Sequence, residues 1–279
     1  MMNLDFLVNA VSMSGQQLMT LFDERNRRLF KGVTNDYLEE KALKELVIEE
    51  DLLSEKIIKK HIKEKTPNAK IYSEECDYLD ELTQDDSQIK YIIDPLDGTH
   101  NYYFGLPYWG ISVGVLDSKN NVIGGVIYIP AFGILLKNEG LNLPAKIHID
   151  GKWQDCSTVI RTIDKALICY DNQFYKMGYN AIENYEKLTK KAFTTRITGS
   201  AVTDAAFIAT GRVNARVFNR TNSYDIAAGM AIVRSSGGEV TNFSGKVTNV
   251  LSKQIIMSSG GVLHDSIINI INNNLTKGS

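Results

Sequence analysis

The longest apolar stretch of the chain lies between Tyr108 and Leu136, and glycine and proline cut that region into pieces too short to cross a membrane as one helix. Trp109-Gly110-Ile111-Ser112-Val113-Gly114-Val115 comes first, followed by a polar turn at Asp117-Ser118-Lys119-Asn120-Asn121. The longest run, Val122 to Leu136, is interrupted by Gly124, Gly125, Pro130 and Gly133 and splits into Val122–Ile129 and Phe132–Leu136. Short apolar runs rich in β-branched residues and bounded by turn formers predict a meander of buried strands. At 279 residues the chain can bury such a sheet within one large domain. Two lobes of about 100–150 residues each fit equally well.

Around this meander the periodicity is helical. Leu4, Leu7, Val8, Val11, Leu18, Met19 and Phe22 predict an amphipathic helix over 3–29, and Leu52, Ile57, Ile58 and Ile62 a second over 51–65, ending before Pro67. Short strands are expected at Lys70–Tyr72 and Lys90–Ile93. Gly140, Pro144 and Gly151 place a lobe boundary within 137–153. Residues 1–150 then form an N-terminal α+β lobe and 151–279 a C-terminal α/β lobe. In the latter, a strand at 165–170, a helix at 181–191, a strand at 194–197 and helices from Ala201 and Asp225 alternate.

A net charge of −2 and a pI near 6.1 leave no electrostatic footprint for a nucleic acid polymer or an anionic membrane as partner. The basic stretch Lys59-Lys60-His61-Ile62-Lys63 reads as the solvated face of the second helix. Cys76, Cys156 and Cys169 are odd in number, far apart and without Cys-x-x-Cys spacing, which fits a reducing cytoplasm. No signal-like segment opens the chain, since Asp5 and Asn9 interrupt its first apolar residues.

The chemistry concentrates at Asp94-Pro95-Leu96-Asp97-Gly98-Thr99, directly behind Tyr91-Ile92-Ile93. Pro95 is expected to stop the strand and start a turn in which Asp94 and Asp97 share one volume with the Leu96 carbonyl. Oxygen ligands so close repel one another unless a hard cation lies among them, which points to Mg²⁺. Gly98 permits close approach to the backbone, and a short helix from Thr99 would present free N–H groups to a phosphate. Two more acidic sites stand at element ends: Ser73-Glu74-Glu75 after a strand and Asp225 before the run Ile226–Val233. Each has an ordinary alternative, Asp225 as a helix cap and Glu74 and Glu75 as loop surface.

Ile92-Ile93-Asp94-Pro95-Leu96-Asp97-Gly98-Thr99 and Tyr224-Asp225-Ile226-Ala227-Ala228-Gly229 together resemble the two signatures of the inositol monophosphatase-like, Mg²⁺-dependent, lithium-sensitive phosphatases. Ser73-Glu74-Glu75, Gly199-Ser200-Ala201 and Leu46-Val47-Ile48-Glu49-Glu50-Asp51 resemble further elements of that family, in the same order along the chain. The resemblance implies an αβαβα sandwich of two lobes, as in the inositol monophosphatase and fructose-1,6-bisphosphatase superfamily, with the site between the lobes. It implies that Glu74, Asp94 and the Leu96 carbonyl hold one Mg²⁺, that Asp94, Asp97 and Asp225 hold a second, and that Glu74 helps with a third. It further implies that Glu74 and Thr99 orient the attacking water and that Asp51 orients Thr99. The Gly98 and Thr99 N–H groups would hold the phosphate, and Asp97, Ser200 and Asp225 would line the substrate. A homodimer and a mobile charged loop at Lys31–Glu45 follow from the same resemblance.

The specificity residues depart from the pattern. Seven residues before Asp225, where the family usually carries a glutamate for polyol hydroxyls, stands Phe218; Asn219, one residue on, is the substitute expected to bind substrate. Tyr224 stands for the usual tryptophan and His100 for threonine or lysine. Arg212, Arg216 and Arg220 are the cations available for a second phosphate. The expected activity is hydrolysis of a small polyol or sugar phosphate, with inositol 1-phosphate leading. Fructose 1,6-bisphosphate, 3′-phosphoadenosine 5′-phosphate and histidinol phosphate are alternatives. A metal-binding regulatory homologue without turnover is the alternative of another class.

Overall fold

The computed structural model describes residues 2–32, 48–75, 89–171, 174 and 179–272. Its first layer is a helix pair, α1 (Asp5–Phe30) against α2 (Glu49–Lys65). Beneath it lies a seven-stranded sheet in chain order: β1 (Lys70–Ser73), β2 (Lys90–Asp97), β3 (Gly110–Leu116), β4 (Val122–Ile129), β5 (Ile134–Asn138), β6 (Lys146–Ile149) and β7 (Lys152–Asp155). Only β1 and β2 pair in parallel. The short helix α3 (Thr99–Tyr103) follows β2.

The next strands, β8 (Leu167–Tyr170) and β9 (Thr194–Arg196), flank α4 (Tyr179–Lys191). Then come α5 (Ala201–Ala209), β10 (Ala215–Phe218), α6 (Ser223–Ser235), β11 (Glu239–Asn242), β12 (Ile255–Ser258) and α7 (Val262–Asn272). The second sheet runs β11-β12-β10-β8-β9. Helices α5 and α6 lie between the sheets and touch strands of both, while α4 and α7 pack together, against β9 and β12 respectively. The layers are therefore αβαβα. The composition accounts for the middle layer: α5, Ala201-Val-Thr-Asp-Ala-Ala-Phe-Ile-Ala209, is apolar nearly all round, and such a helix is stable only when covered on every side. Strand β3, buried at every residue, reads as a nearly continuous apolar run for the same reason, whereas β2, equally buried, carries Lys90, Asp94 and Asp97.

Contact between α6 and the first sheet is very close. A Cβ added at Gly114 would lie 2.5 Å from the Ala227 Cβ, and one at Gly125 would lie 3.0 Å from the Ala228 Cα. Small residues on both surfaces bring the helix that carries Asp225 down onto the sheet that carries Asp94.

Two expectations need correction. Strand β2 does not stop at Pro95 but continues to Asp97. A bulge accommodates the missing N–H: Asp94 pairs with Ser112 and Asp97 with Gly110, so two residues of β2 stand opposite one of β3. The Pro95 carbonyl, released from the ladder, accepts a 2.6 Å hydrogen bond from Ser54 of α2. The lobe boundary drawn at 150/151 falls inside the β6–β7 hairpin, and the chain leaves the first sheet only after Asp155. Gly151, with φ of 76°, makes that hairpin turn and not a linker.

Candidate functional site

Three element ends meet where β2 bulges. Asp94 and Asp97 come from β2 and Asp225 from the first turn of α6, and one carboxylate oxygen of each lies within 4.8 Å of the other two. Asp97 is held from the second sheet's side. Its Oδ2 accepts from the Ser200 hydroxyl and, at 2.8 Å, from the Val202 N–H, and its Oδ1 accepts from the Ala201 N–H at 3.2 Å. These are free donors at the N-terminus of α5, where a carboxylate is favoured by the helix dipole.

Asp225 does act as a capping residue, and it also belongs to the cluster. Its Oδ2 accepts from the Asn222 N–H at 2.8 Å and the Thr221 hydroxyl at 3.2 Å. Asp51 repeats this design at the start of α2, accepting from the Ile48 N–H at 2.8 Å through Oδ2. The Asp51 Oδ1 faces the Thr99 hydroxyl at 3.2 Å, and the same hydroxyl lies 3.0 Å from the Leu96 carbonyl. Gly98 joins β2 to α3 with φ of 87°, and a Cβ there would lie 2.7 Å from the Tyr108 carbonyl, so only glycine fits.

Asp94 differs from its neighbours. It is 1% exposed, and neither carboxylate oxygen has a hydrogen-bond partner. A buried anion left that way costs several kcal/mol, so such groups either stay protonated or bind a cation. Burial raises its pKa well above the carboxylate range, and the charges of Glu74 and Asp97 add to the effect. Asp225 is pushed up to about 7, by burial first and by Asp97 second. Asp51 also rises to about 7 through burial. Asp97 rises less freely, because the Ser200 and Val202 donors favour its charged form.

Glu74 stands outside the tight group of three. It follows β1, its N–H bonded to the Ile93 carbonyl at 3.3 Å, and its side chain reaches solvent. The surrounding protein still shields it, so burial is the leading cause of its raised pKa, followed by the charge of Asp225. Three close carboxylates with one ligand-free pair of oxygens are a donor set that fits a hard divalent cation.

The other expected residues fall into place unequally. Ser200 is the N-cap of α5, accepting from the Thr203 N–H at 3.1 Å while supporting Asp97. Asn219 is buried just after β10, its N–H bonded to Asp171. Phe218 is a core residue, with the Arg216 guanidinium 4.8 Å from its ring centroid. Arg216 is not available for a second phosphate: it is buried and bonded to Asp204 and Asp171. Arg212 and Arg220 are exposed, as is His100. The charged stretch Lys31–Glu45 lies, beyond Gly32, outside the described residues.

Sequence reasoning missed the buried Arg216–Asp204–Asp171 group. One signal was available: Asp204 is the only charged residue in an otherwise apolar α5. It also missed the pair in which the Asn222 amide donates to the Tyr224 hydroxyl at 2.8 Å, beside the acidic crevice.

The comparisons with known proteins agree with this geometry. The chain matches the inositol monophosphatase family over residues 4–276. It is 31% identical over 274 residues to a Thermotoga maritima protein described as a fructose-1,6-bisphosphatase/inositol-1-monophosphatase, covering 96% of this chain and 95% of the relative. It is 30% identical to the Nus factor SuhB of Haemophilus influenzae, covering 82% of this chain and 83% of that one. The solved structure of a Thermotoga maritima IMPase superposes with a TM-score of 0.80 at 28% identity, over 98% of this chain and 97% of the other. The chain belongs to the inositol monophosphatase family, whose members are phosphatases that hydrolyse phosphate monoesters.

Proposed function

We propose that this chain hydrolyses a small polyol or sugar phosphate monoester with Mg²⁺, inositol 1-phosphate being the leading substrate. The observation that carries this reading is Asp94, buried with both oxygens unpartnered and facing Asp97 and Asp225. Glu74, Asp94 and the Leu96 carbonyl would hold one ion and Asp94, Asp97 and Asp225 a second, with Glu74 contributing to a third. Mg²⁺ bound there supplies the charge neutralisation and electrophilic polarisation that phosphoryl transfer needs.

The chain's own groups do the rest. The Gly98 and Thr99 N–H groups hold the phosphate at the start of α3, where fixed donors stabilise growing negative charge. Thr99 Oγ1 lies between Asp51 Oδ1 and the Leu96 carbonyl, placed to take the proton of an attacking water as its own passes to Asp51. An Asp51 carboxylate pushed up to about 7 is matched to accept that proton near neutrality. Glu74 orients the same water, and Ser200, Asn219 and Asp225 face the rest of the substrate.

A sugar bisphosphate is the second reading. It is favoured by the name of the Thermotoga maritima relative and by Phe218, which lies in the core and offers no acceptor to a polyol hydroxyl. Phosphate release with Mg²⁺ from inositol 1-phosphate, fructose 1,6-bisphosphate and 3′-phosphoadenosine 5′-phosphate decides between them, and release from none of the three defeats both. Lithium inhibition is expected if a monovalent ion displaces one of the metals.

We also place the protein in the cytoplasm and as a homodimer. Among the described residues no helix is long and apolar enough to cross a membrane, and Cys156 and Cys169 are free thiols. The surface ring cluster Tyr108–Phe132–Phe207, with centroids 5.6 and 5.3 Å apart, supports self-association. Light scattering of Phe132→Asp beside the unmodified chain tests it, a shift to monomer being expected.

A further inference from the structure

We propose that Arg216 is a positioning residue that sets the spacing of Asp97 and Asp225 in the candidate metal site, through its forked bonds to Asp204, the Ser200 carbonyl and Asp171. The proposal rests on the metal-binding reading above.

Arg216 occupies the middle of β10, behind the crevice. Its Nη1 donates to Asp204, to the Ser200 carbonyl at 3.3 Å and, at 3.5 Å, to the Thr198 hydroxyl. Its Nη2 donates to Asp171 Oδ1 at 3.2 Å. From the first nitrogen the connections lead to Asp97: Asp204 also accepts from the Thr198 hydroxyl, and Ser200 donates to Asp97. From the second they lead to Asp225: Asp171 Oδ2 accepts from the Asn219 N–H at 2.5 Å, and two residues on, the Thr221 hydroxyl donates to Asp225 Oδ2 at 3.2 Å. One planar guanidinium thus ties the loop before α5 to the loop before α6, and each loop carries the support of one cluster acid.

Stability alone is a poor reason for this arrangement. Replacing a buried ion triad with apolar residues of the same volume is often neutral or stabilising. What an arginine provides that a leucine or a lysine does not is a rigid fork with two directed ends. The Phe218 ring beneath the guanidinium at 4.8 Å limits its tilt. Both ends of the fork are committed to protein acceptors, so Arg216 acts through Ser200 and Asp171 and not on a substrate.

The test is Mg²⁺ titration calorimetry on the metal-free full chain. Arg216→Lys keeps the charge and removes the fork, while Leu188→Ala, in the core between α4 and the second sheet, loosens the protein away from the Arg216 bonds. The expected result is a loss of about 10-fold or more in Mg²⁺ affinity for Arg216→Lys, the range for a residue that orients a metal ligand, and none for Leu188→Ala. Wild-type affinity in Arg216→Lys, or an equal loss in Leu188→Ala, overturns the proposal. Should Arg216→Lys not fold, Asp171→Asn keeps the Arg216–Asp204 bond and is read by the same criteria. Absence of Mg²⁺ binding by the unmodified chain overturns the metal reading itself, and this proposal with it.

Discussion

Two groups of buried carboxylates lie side by side in this protein and are treated in opposite ways. Asp171 and Asp204 share the Arg216 guanidinium, and their charges are met in place. Asp94, Asp97 and Asp225 face one another, and no cationic side chain among the described residues bonds to them. The first group carries its own cation as folded, with only the Arg216 Nε left unbonded. The second is stable as an ionised set only when positive charge arrives from outside. The difference separates an acidic cluster that builds the protein from one that works for it, a distinction that a list of acidic residues cannot make.

The largest effect that could break this contrast is on stability. Arg216→Met leaves two carboxylates buried without their cation and is expected to cost about 3–5 kcal/mol in urea unfolding. A loss below about 1 kcal/mol, the level of an exposed ion pair, would erase the distinction. Asp94→Asn should behave in reverse. The metal-free protein should be no less stable than wild type, while phosphate release falls by more than about 100-fold, beyond the range for residues that only orient a ligand.

Mg²⁺ at 100 times its dissociation constant should add about 2.7 kcal/mol to the wild type, a rise in Tm of about 5 °C or more, and much less to Asp94→Asn. The pH dependence should also divide the molecule. Asp225 rises on folding from 3.8 to about 7. The stability of its protonated form is therefore present below about pH 4 and lost as the pH rises through 7 in metal-free protein; saturating Mg²⁺ should flatten that decline.

His264 should give the smallest effect, with the opposite sign. It lies between Thr241 and Ser258 at 2.8 Å each, and burial lowers its pKa below 6.5. Its contribution is present above pH 6.5 and lost as the pH falls below that value, on the order of 1 kcal/mol. Urea midpoints of His264→Gln and wild type across pH 5 to 7 measure it.

How much of this was legible in the sequence depended on range. Asp94, Leu96, Asp97 and Thr99 lie within six residues, and the local chain geometry alone keeps them together. The long helices α1 and α2 declared themselves by period. Strands β10, β11 and β12, four residues each, carry too few positions for alternation to stand out, and the sequence reading passed over them. Pro95 misled for a physical reason: its missing N–H ends a regular ladder but not a bulged one, and the Ser54 hydroxyl that makes the bulge tolerable comes from 41 residues away. The network through Arg216 left only Asp204 as a sign, because its members at 171, 200, 204, 216 and 221 meet only once the second sheet has formed.

The contact of α6 with the first sheet carries a consequence for variation in this protein. Gly114, Gly125, Ala227 and Ala228 touch no substrate, yet together they govern how near Asp225 comes to Asp94. A single methyl group added at Gly114 would wedge the two layers apart. In a library of random replacements selected for turnover, these four positions should be as intolerant as the acids themselves, and scored by distance from the chemistry they would be taken for bystanders.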